Sequence, residues 1–144
     1  MPVLESTIEI ARPPAEVFAL ATDPTRFPEW QRDVESVRML GDDQFETTRR
    51  FAAARRTLTQ MITRNDPPRH WAAQGLDGPI RANATITVEA VGDGTRSRVT
   101  FTLAFEGHGV GLALLPLVRR QAQLGAPRSY DRLKRLLEGG ADPR

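Results

Sequence analysis

Cysteine is absent from the 144 residues. That absence excludes a disulfide scaffold, a thiolate metal site and a cysteine nucleophile. Histidine occurs only at His70 and His108. Two separated imidazoles do not make the three or four converging ligands that a metal needs, so neither a metal nor any other cofactor is implied. Long apolar runs are missing too. The longest, Val110 to Val118, is interrupted by Gly111 and Pro116 and is too short to span a bilayer. No integral membrane association is expected. The opening MPVLESTIEI lacks the basic and apolar regions of a secretion signal, which makes a cytoplasmic location the expectation. Internal repeats and low-complexity tracts are also absent.

Lysine occurs once, at Lys134, and the other basic residues are arginine. Because arginine barely titrates, a net charge of only +2 is enough to lift the pI to about 9.9. The high pI is therefore weak evidence for a polyanionic partner. The densest basic cluster, Arg49, Arg50, Arg55 and Arg56, falls on neighbouring strand candidates. No nucleic-acid-binding motif accompanies it, and no nucleic-acid partner is expected. The length fits one domain over residues 1–144, and a chain of this mass buries roughly two-thirds of its extended surface.

The order of elements reads from periodicity and punctuation. Residues Val3 to Ala11 alternate as a half-buried strand. Pro13 and Pro14 stop it and suit the first turn of a helix carrying Val17, Phe18, Leu20 and Ala21. Asp23-Pro24 caps a second short helix bearing Phe27 and Trp30. The period then becomes two, with strand candidates at 34–40, 44–53, 56–64, 70–76, 80–91 and 97–106. Their separators include Gly41-Asp42-Asp43, Asn65-Asp66-Pro67-Pro68, Asp77-Gly78-Pro79 and Gly92-Asp93-Gly94. A glycine-rich corner at Glu106–Gly111 leads back to helical spacing up to Glu138. In that helix Leu114, Leu117, Val118, Gln121 and Leu124 are expected on one face, with a weakening or kink at Gly125 and Pro127. Gly139-Gly140 ends it, and residues 141–144 are expected to fray.

Strand, two short helices, six strands and one long helix make an α+β arrangement. The antiparallel sheet has one dry face, which must wrap around the long helix. Ala82, Ala84 and Ala90 share the inward parity beside Gly75, so the wrapped space is either incompletely filled or closed by tight helix packing. Inward parity also falls to Trp71 and to Phe45, Phe51, Phe101 and Phe105, which would line a pocket or form an ordinary core.

Several segments carry a family resemblance. IEIARPPAEVFALATDPTRFPEW resembles the opening of START-like, Bet-v-allergen-like proteins, the superfamily called SRPBCC, in its polyketide cyclase/dehydrase branch. NDPPRHW, GLDGPIR, GDGTRSRVTFTLAFE and SYDRLKRLLE follow in the matching order, so the resemblance covers residues 3–138. It implies the helix-grip fold: a curved seven-stranded antiparallel sheet around a long C-terminal helix, with two short helices after the first strand. It also implies a deep hydrophobic cavity that binds lipids, sterols, polyketides or hormones, with catalysis in a minority of members. These motifs are caps, turns and core positions, so they specify the fold and are nearly silent on chemistry.

Candidate ligand contacts are therefore weighed one residue at a time. The resemblance places Trp30 near the cavity mouth, where its ring would stack on a flat ligand or plug the grip as core; Phe27 faces the same alternative. Arg49 shares parity with Phe45 and Thr47, so its guanidinium either meets a ligand anion, pairs with a structural carboxylate, or lies in solvent if the register slips. Gln121 interrupts the apolar helix face and would address a ligand carbonyl or a neighbouring backbone group. With Phe51, Trp71, Phe101 and Phe105 these are the candidate cavity residues. Catalytic residues are not identifiable: neither histidine sits in a triad, and Ser6, Ser36, Ser97 and Ser129 lack a nucleophile-elbow context. His108 lies in GHGVG, whose spacing is not the dinucleotide fingerprint.

Three functions are compatible with these residues. The first is binding or transport of a hydrophobic, lipid- or polyketide-like small molecule, and it is the reading adopted. The second is an aromatase/cyclase or dehydratase-type enzyme using the same cavity, and the third a protein-interaction module on the convex sheet face. The oligomeric state and the identity of the ligand are not legible in the sequence.

Overall fold

A computed structural model describes residues 3–51 and 54–139, with the side chain of Phe51 outside that description. The elements run β1 (Leu4–Ile10), α1 (Pro14–Ala21), a 3-10 turn (Pro24–Arg26), α2 (Phe27–Trp30), β2 (Val34–Met39), β3 (Gln44–Phe51), β4 (Ala54–Asp66), β5 (His70–Gly75), β6 (Ile80–Val91), β7 (Arg96–Gly107) and α3 (Gly111–Glu138). The strands form one antiparallel sheet in the order β1-β7-β6-β5-β4-β3-β2. Its concave face holds the long helix, which is the helix grip.

Local chemistry accounts for the borders. Pro13 is held extended at the α1 N-cap, with Pro14 occupying the first turn, where a missing N–H costs nothing. The Asp23 carboxylate accepts from the Thr25 backbone N–H at 3.0 Å and from its hydroxyl at 2.7 Å, starting the 3-10 turn. That turn runs straight into the single α-turn of α2, so the short helix expected after Asp23 spans Pro24 to Trp30 and stops at the extended Gln31. Bulges between Val34 and Ser36 and between Ile62 and Arg64 interrupt the ladders and help bend the sheet. The 44–53 strand expected from sequence is β3, ending at Phe51; residues 52 and 53 lie outside the described residues, as do 140–144 with their expected fraying. β4 begins two residues earlier and ends two later than expected.

Inward parity on the central strands is as expected. Trp71 pairs with Ile86 and Ala73 with Ala84, and across the next ladder Ile86 pairs with Phe101, Ala84 with Leu103 and Ala82 with Phe105. One end of the sheet is closed by large side chains. Trp71, Ile86 and Phe101 are buried there with Phe27, Trp30 and Phe45. Ala90 is exposed, because β6 runs past the core before its turn.

The long helix runs continuously over 28 residues, with Pro116 and Pro127 inside it. Neither proline can donate to the carbonyl four residues back, on Leu112 and Gln123, but both of those residues are exposed, where water can satisfy the freed oxygen. It differs from expectation in its inward face: Leu117 and Leu124 do not share it and are 51% and 65% exposed. The inward face follows Leu114, Val118, Gln121, Ala122 and Gly125, and Leu117 and Leu124 sit about 85° and 105° round the helix from its centre. Among the described residues no helix is long and apolar enough to cross a membrane.

Each end of α3 is tied to the sheet. At its start Gly111 packs directly on the Pro79 carbonyl, which also accepts from the His108 N–H at 2.8 Å. At its end Glu138 accepts from the Ala11 backbone N–H at 2.8 Å and from Lys134 at 2.7 Å, and Lys134 also donates to the Glu9 carbonyl. The hydrogen bond from Lys134 is the main cause holding the Glu138 carboxyl below its ordinary range. The folded carboxyl therefore binds its proton less tightly than the unfolded one. Its contribution to stability is complete above the ordinary carboxylate range and is lost as pH falls through the lowered folded value. Melting temperature followed downward through the acid range should fall less in Glu138→Gln than in wild type; parallel curves would show that the tie carries no pH dependence.

Candidate functional site

Between the concave sheet face and α3 lies a cavity of about 370 Å³, within the range of roughly 300–1,000 Å³ usual for small-molecule sites. Its origin is the run of small side chains on successive strands. Ala73, Gly75, Ala82 and Ala84 line it where bulkier residues would reach the helix. Leu58, Ile80, Leu103 and Phe105 supply apolar walls, and Leu114, Val118 and Ala122 of α3 the roof.

An aromatic cluster closes the inner end. Phe27 stands edge to face with Trp30 at 5.9 Å, with Phe45 at 5.9 Å and with Trp71 at 6.0 Å between centroids. Phe101 stacks on Tyr130 of α3 at 3.8 Å and 8°. Trp30, Trp71, Phe27, Phe101 and Tyr130 all belong both to this core and to the cavity wall. Of the alternatives for Trp30, the plug is realised: the ring is core, and one side of it also forms part of the cavity wall. Its indole nitrogen and that of Trp71 are buried with no hydrogen-bond partner among the described residues. Aromatic neighbours offer them at most a weak π acceptor.

Of the sequence candidates, the structure brings together Phe27, Trp30, Trp71, Phe101 and Phe105 around this space. Arg49 and Gln121 also reach its lining. The Phe51 side chain lies outside the described residues. Phe45 is fully buried behind Phe27 and is absent from the lining, so of its two alternatives the ordinary core is realised. His70 and His108 are outside the lining; the His108 Nε2 instead lies 3.5 Å from Glu106.

The polar groups of the wall are ordered as a relay of donors. Arg49 donates through Nη1 to Asp33 at 3.2 Å, through Nη2 to Gln31 at 3.2 Å and through Nε to the Thr47 hydroxyl at 3.4 Å. Thr47 in turn donates to the Gln60 Oε1 at 2.9 Å, in a fully buried pair. Of the alternatives open for Arg49, the structural carboxylate is realised: Asp33 pairs with it while the side chain stays 25% exposed. With one lone pair of its oxygen engaged by Thr47, Gln60 still has its amide N–H groups to offer. Burial pushes the Tyr130 hydroxyl up to about 12, so the phenol is neutral at physiological pH.

Sequence reasoning missed Gln60, Arg56, Asp33 and Tyr130 as site residues. Gln60 and Arg56 were legible only through the register of the β3–β4 hairpin, which sets Phe45 opposite Gln60, Thr47 opposite Leu58 and Arg49 opposite Arg56. No sequence signal marks Asp33 as the partner of Arg49, and Tyr130 reads as one more apolar position of the helix.

Comparison with known proteins now places this architecture. The chain belongs to the family described as polyketide cyclase / dehydrase and lipid transport, whose model matches residues 1–138. No curated protein matches the sequence. Among solved structures, a START superfamily protein from Mycobacterium smegmatis superposes with a TM-score of 0.79 at 12% identity, covering 94% of this chain and 97% of that one. The Zhui aromatase/cyclase from a Streptomyces species gives a TM-score of 0.76 at 17% identity, covering 99% of this chain and 94% of that one. The di-domain aromatase/cyclase BexL, from a biosynthetic pathway, gives 0.73 at 18% identity, covering 93% of this chain and 45% of that one. At such identities these likenesses concern the fold.

Proposed function

We infer that the protein binds a hydrophobic small molecule, of lipid or polyketide type, between the sheet and α3. The observation that carries this reading is the chamber left by Ala73, Gly75, Ala82 and Ala84, four small residues on facing positions of two strands beneath a helix that does not fill the gap. The apolar walls of a chamber of this size gain packing contacts when a hydrophobic body lies between them. Family membership points the same way. Neutral N-phenyl-1-naphthylamine, whose fluorescence rises in apolar enclosures, tests it directly. Wild type should bind the dye, and Ala84→Phe, which fills the chamber, should weaken binding at least about tenfold with an unchanged circular-dichroism spectrum, one well-placed ring being equivalent to more than about 1.4 kcal/mol. Ala90→Phe, on the same strand parity but exposed beyond the core, serves as the control. Equal binding by wild type and Ala84→Phe would sink the reading.

A second reading, cyclase- or dehydratase-type catalysis in the same space, is favoured by one observation: the neutral phenol of Tyr130 and the free amide N–H of Gln60 are donors on the wall of one cavity. They would polarise a ligand carbonyl. A proton acceptor is harder to assign, because the lining carboxylates, Asp33 and Asp77, are engaged by Arg49 and by the Thr59 backbone N–H. Tyr130→Phe separates the two readings. A carrier keeps its affinity for an apolar ligand, whereas an enzyme of this kind loses turnover of a polyketide-like substrate without losing binding.

A further inference from the structure

Two pairs of arginines face each other across the β3–β4 hairpin, and the fold treats them differently. Arg50 and Arg55 are directly opposed on the convex face. Glu35 bridges both, at 3.2 Å and 2.7 Å. One residue along, Arg49 and Arg56 are directly opposed on the concave face, and both line the cavity. Like charges at directly opposed sheet positions destabilise the pairing. Here Asp33, Gln31 and Thr47 all attend to Arg49 alone. Arg56 has no salt bridge and no hydrogen bond from its side chain to any of the described residues.

Arg56 is not alone at this mouth. Arg32 and Arg128 are exposed residues that also belong to the lining, and neither has a carboxylate partner among the described residues. The Arg32 backbone N–H donates to Ser129 at 3.2 Å, which sets Arg32 beside Arg128. The loop bearing Arg32 also carries Gln31 and Asp33, which hold Arg49. The whole lining contains five arginines against two aspartates, and both aspartates are committed within the chain. An apolar chamber therefore opens through a rim with an excess of unmatched guanidinium groups, the side chain best suited to a carboxylate or phosphate.

We propose that the occupant of the cavity is an anionic amphiphile, its hydrocarbon body in the alanine-lined chamber and its carboxylate or phosphate on Arg56 at the rim. The assignment deepens the binding reading above and rests on it. Arg56 supplies the charge left over once Asp33 has neutralised Arg49, and Arg32 and Arg128 add to the field that draws the anion in. The interior donors, Gln60 and Tyr130, remain available to any oxygen further along the body.

Matched probes of one chain length test this: dodecanoate, dodecyl phosphate and the neutral dodecan-1-ol, with dissociation constants from tryptophan fluorescence or calorimetry. Wild type should prefer each anion over the alcohol by about tenfold or more, and the preference should shrink with added salt. In Arg56→Met the preference should fall to near one while the affinity for the alcohol stays the same. The position is exposed and the substitution removes a like-charge pair, so the fold should be retained; should Arg56→Met fail to fold, Arg56→Gln with the same probes replaces it. The two anions distinguish the carboxylate from the phosphate source. Equal binding of alcohol and anions by wild type, or a preference that survives Arg56→Met, overturns the proposal and leaves the apolar-ligand reading standing. Failure of all three probes to bind overturns both.

Discussion

Phe27→Ala is expected to cost about 3–5 kcal/mol of stability, the range for removing a large aromatic from a packed core. Phe27 is the ring on which the closed end of the grip converges: it is 3% exposed and meets Trp30, Phe45 and Trp71 edge to face. Such aromatic pairs contribute about 0.5–1.5 kcal/mol each beyond their buried area. Truncation removes three of them together and leaves a void that the single turn of α2, held between the 3-10 turn and β2, cannot collapse into. For a chain of this length the loss corresponds to a fall in melting temperature of roughly 10 °C or more. Guanidinium titration of both proteins checks it. A change below about 1.5 kcal/mol would mean that α2 repacks freely and that the aromatic cluster is not the keystone of the closed end.

The sequence discloses the closed end more readily than the open one, for a physical reason. On β6 and β7 one face is dry and the other wet, so alternation in Ile86, Val88, Val99 and Phe101 against Arg98, Thr100 and Thr102 fixes which side is inward. The turns between strands are written in residues such as Gly92 and Gly94, whose φ values of +65° and +91° L side chains rarely adopt. The β3–β4 hairpin has no such punctuation. The sequence between the two strand patterns is an alanine run, so nothing in it decides which arginine opposes which, and Arg56 reads as just another member of a basic cluster. Register is a long-range property that a one-residue slip would invert.

The same limit hides the identity of the helix face. The first half of α3 carries leucine or valine at positions 112, 114, 115, 117 and 118, so apolar residues lie on nearly every side and periodicity alone does not choose among them. The choice is made by contacts outside the helix, where Gly111 meets Pro79 and Phe101 stacks on Tyr130. Those two contacts set the rotation that turns Leu114 and Val118 inward and leaves Leu117 and Leu124 in solvent. Cavity lining is thus a consequence of how α3 is anchored, and the anchor rather than the lining is the sensitive point.

Gly111→Ala and Gly125→Ala should accordingly move stability in opposite directions, although both put a methyl group on the same helix. A Cβ at Gly111 would lie 1.8 Å from the Pro79 carbonyl oxygen and 2.5 Å from its carbon. Both are backbone atoms that no rotamer change can withdraw, and His108 already hydrogen-bonds that oxygen. The start of α3 must then lift away from the β5–β6 turn, at a cost of at least about 2–3 kcal/mol. A Cβ at Gly125 would meet nothing within 4 Å. There the exchange removes only the excess backbone entropy of glycine in a helix, a gain of about 0.5–1 kcal/mol. Denaturant midpoints of the two variants against wild type decide it. If Gly111→Ala is neutral, the close approach of α3 to Pro79 is not what fixes the helix, and the rotation that faces Leu114 and Val118 toward the chamber must be set elsewhere. If it is destabilising while Gly125→Ala is stabilising, the seating of α3 over the chamber is held at the corner where the helix begins, and dye affinity measured on Gly111→Ala should fall with it.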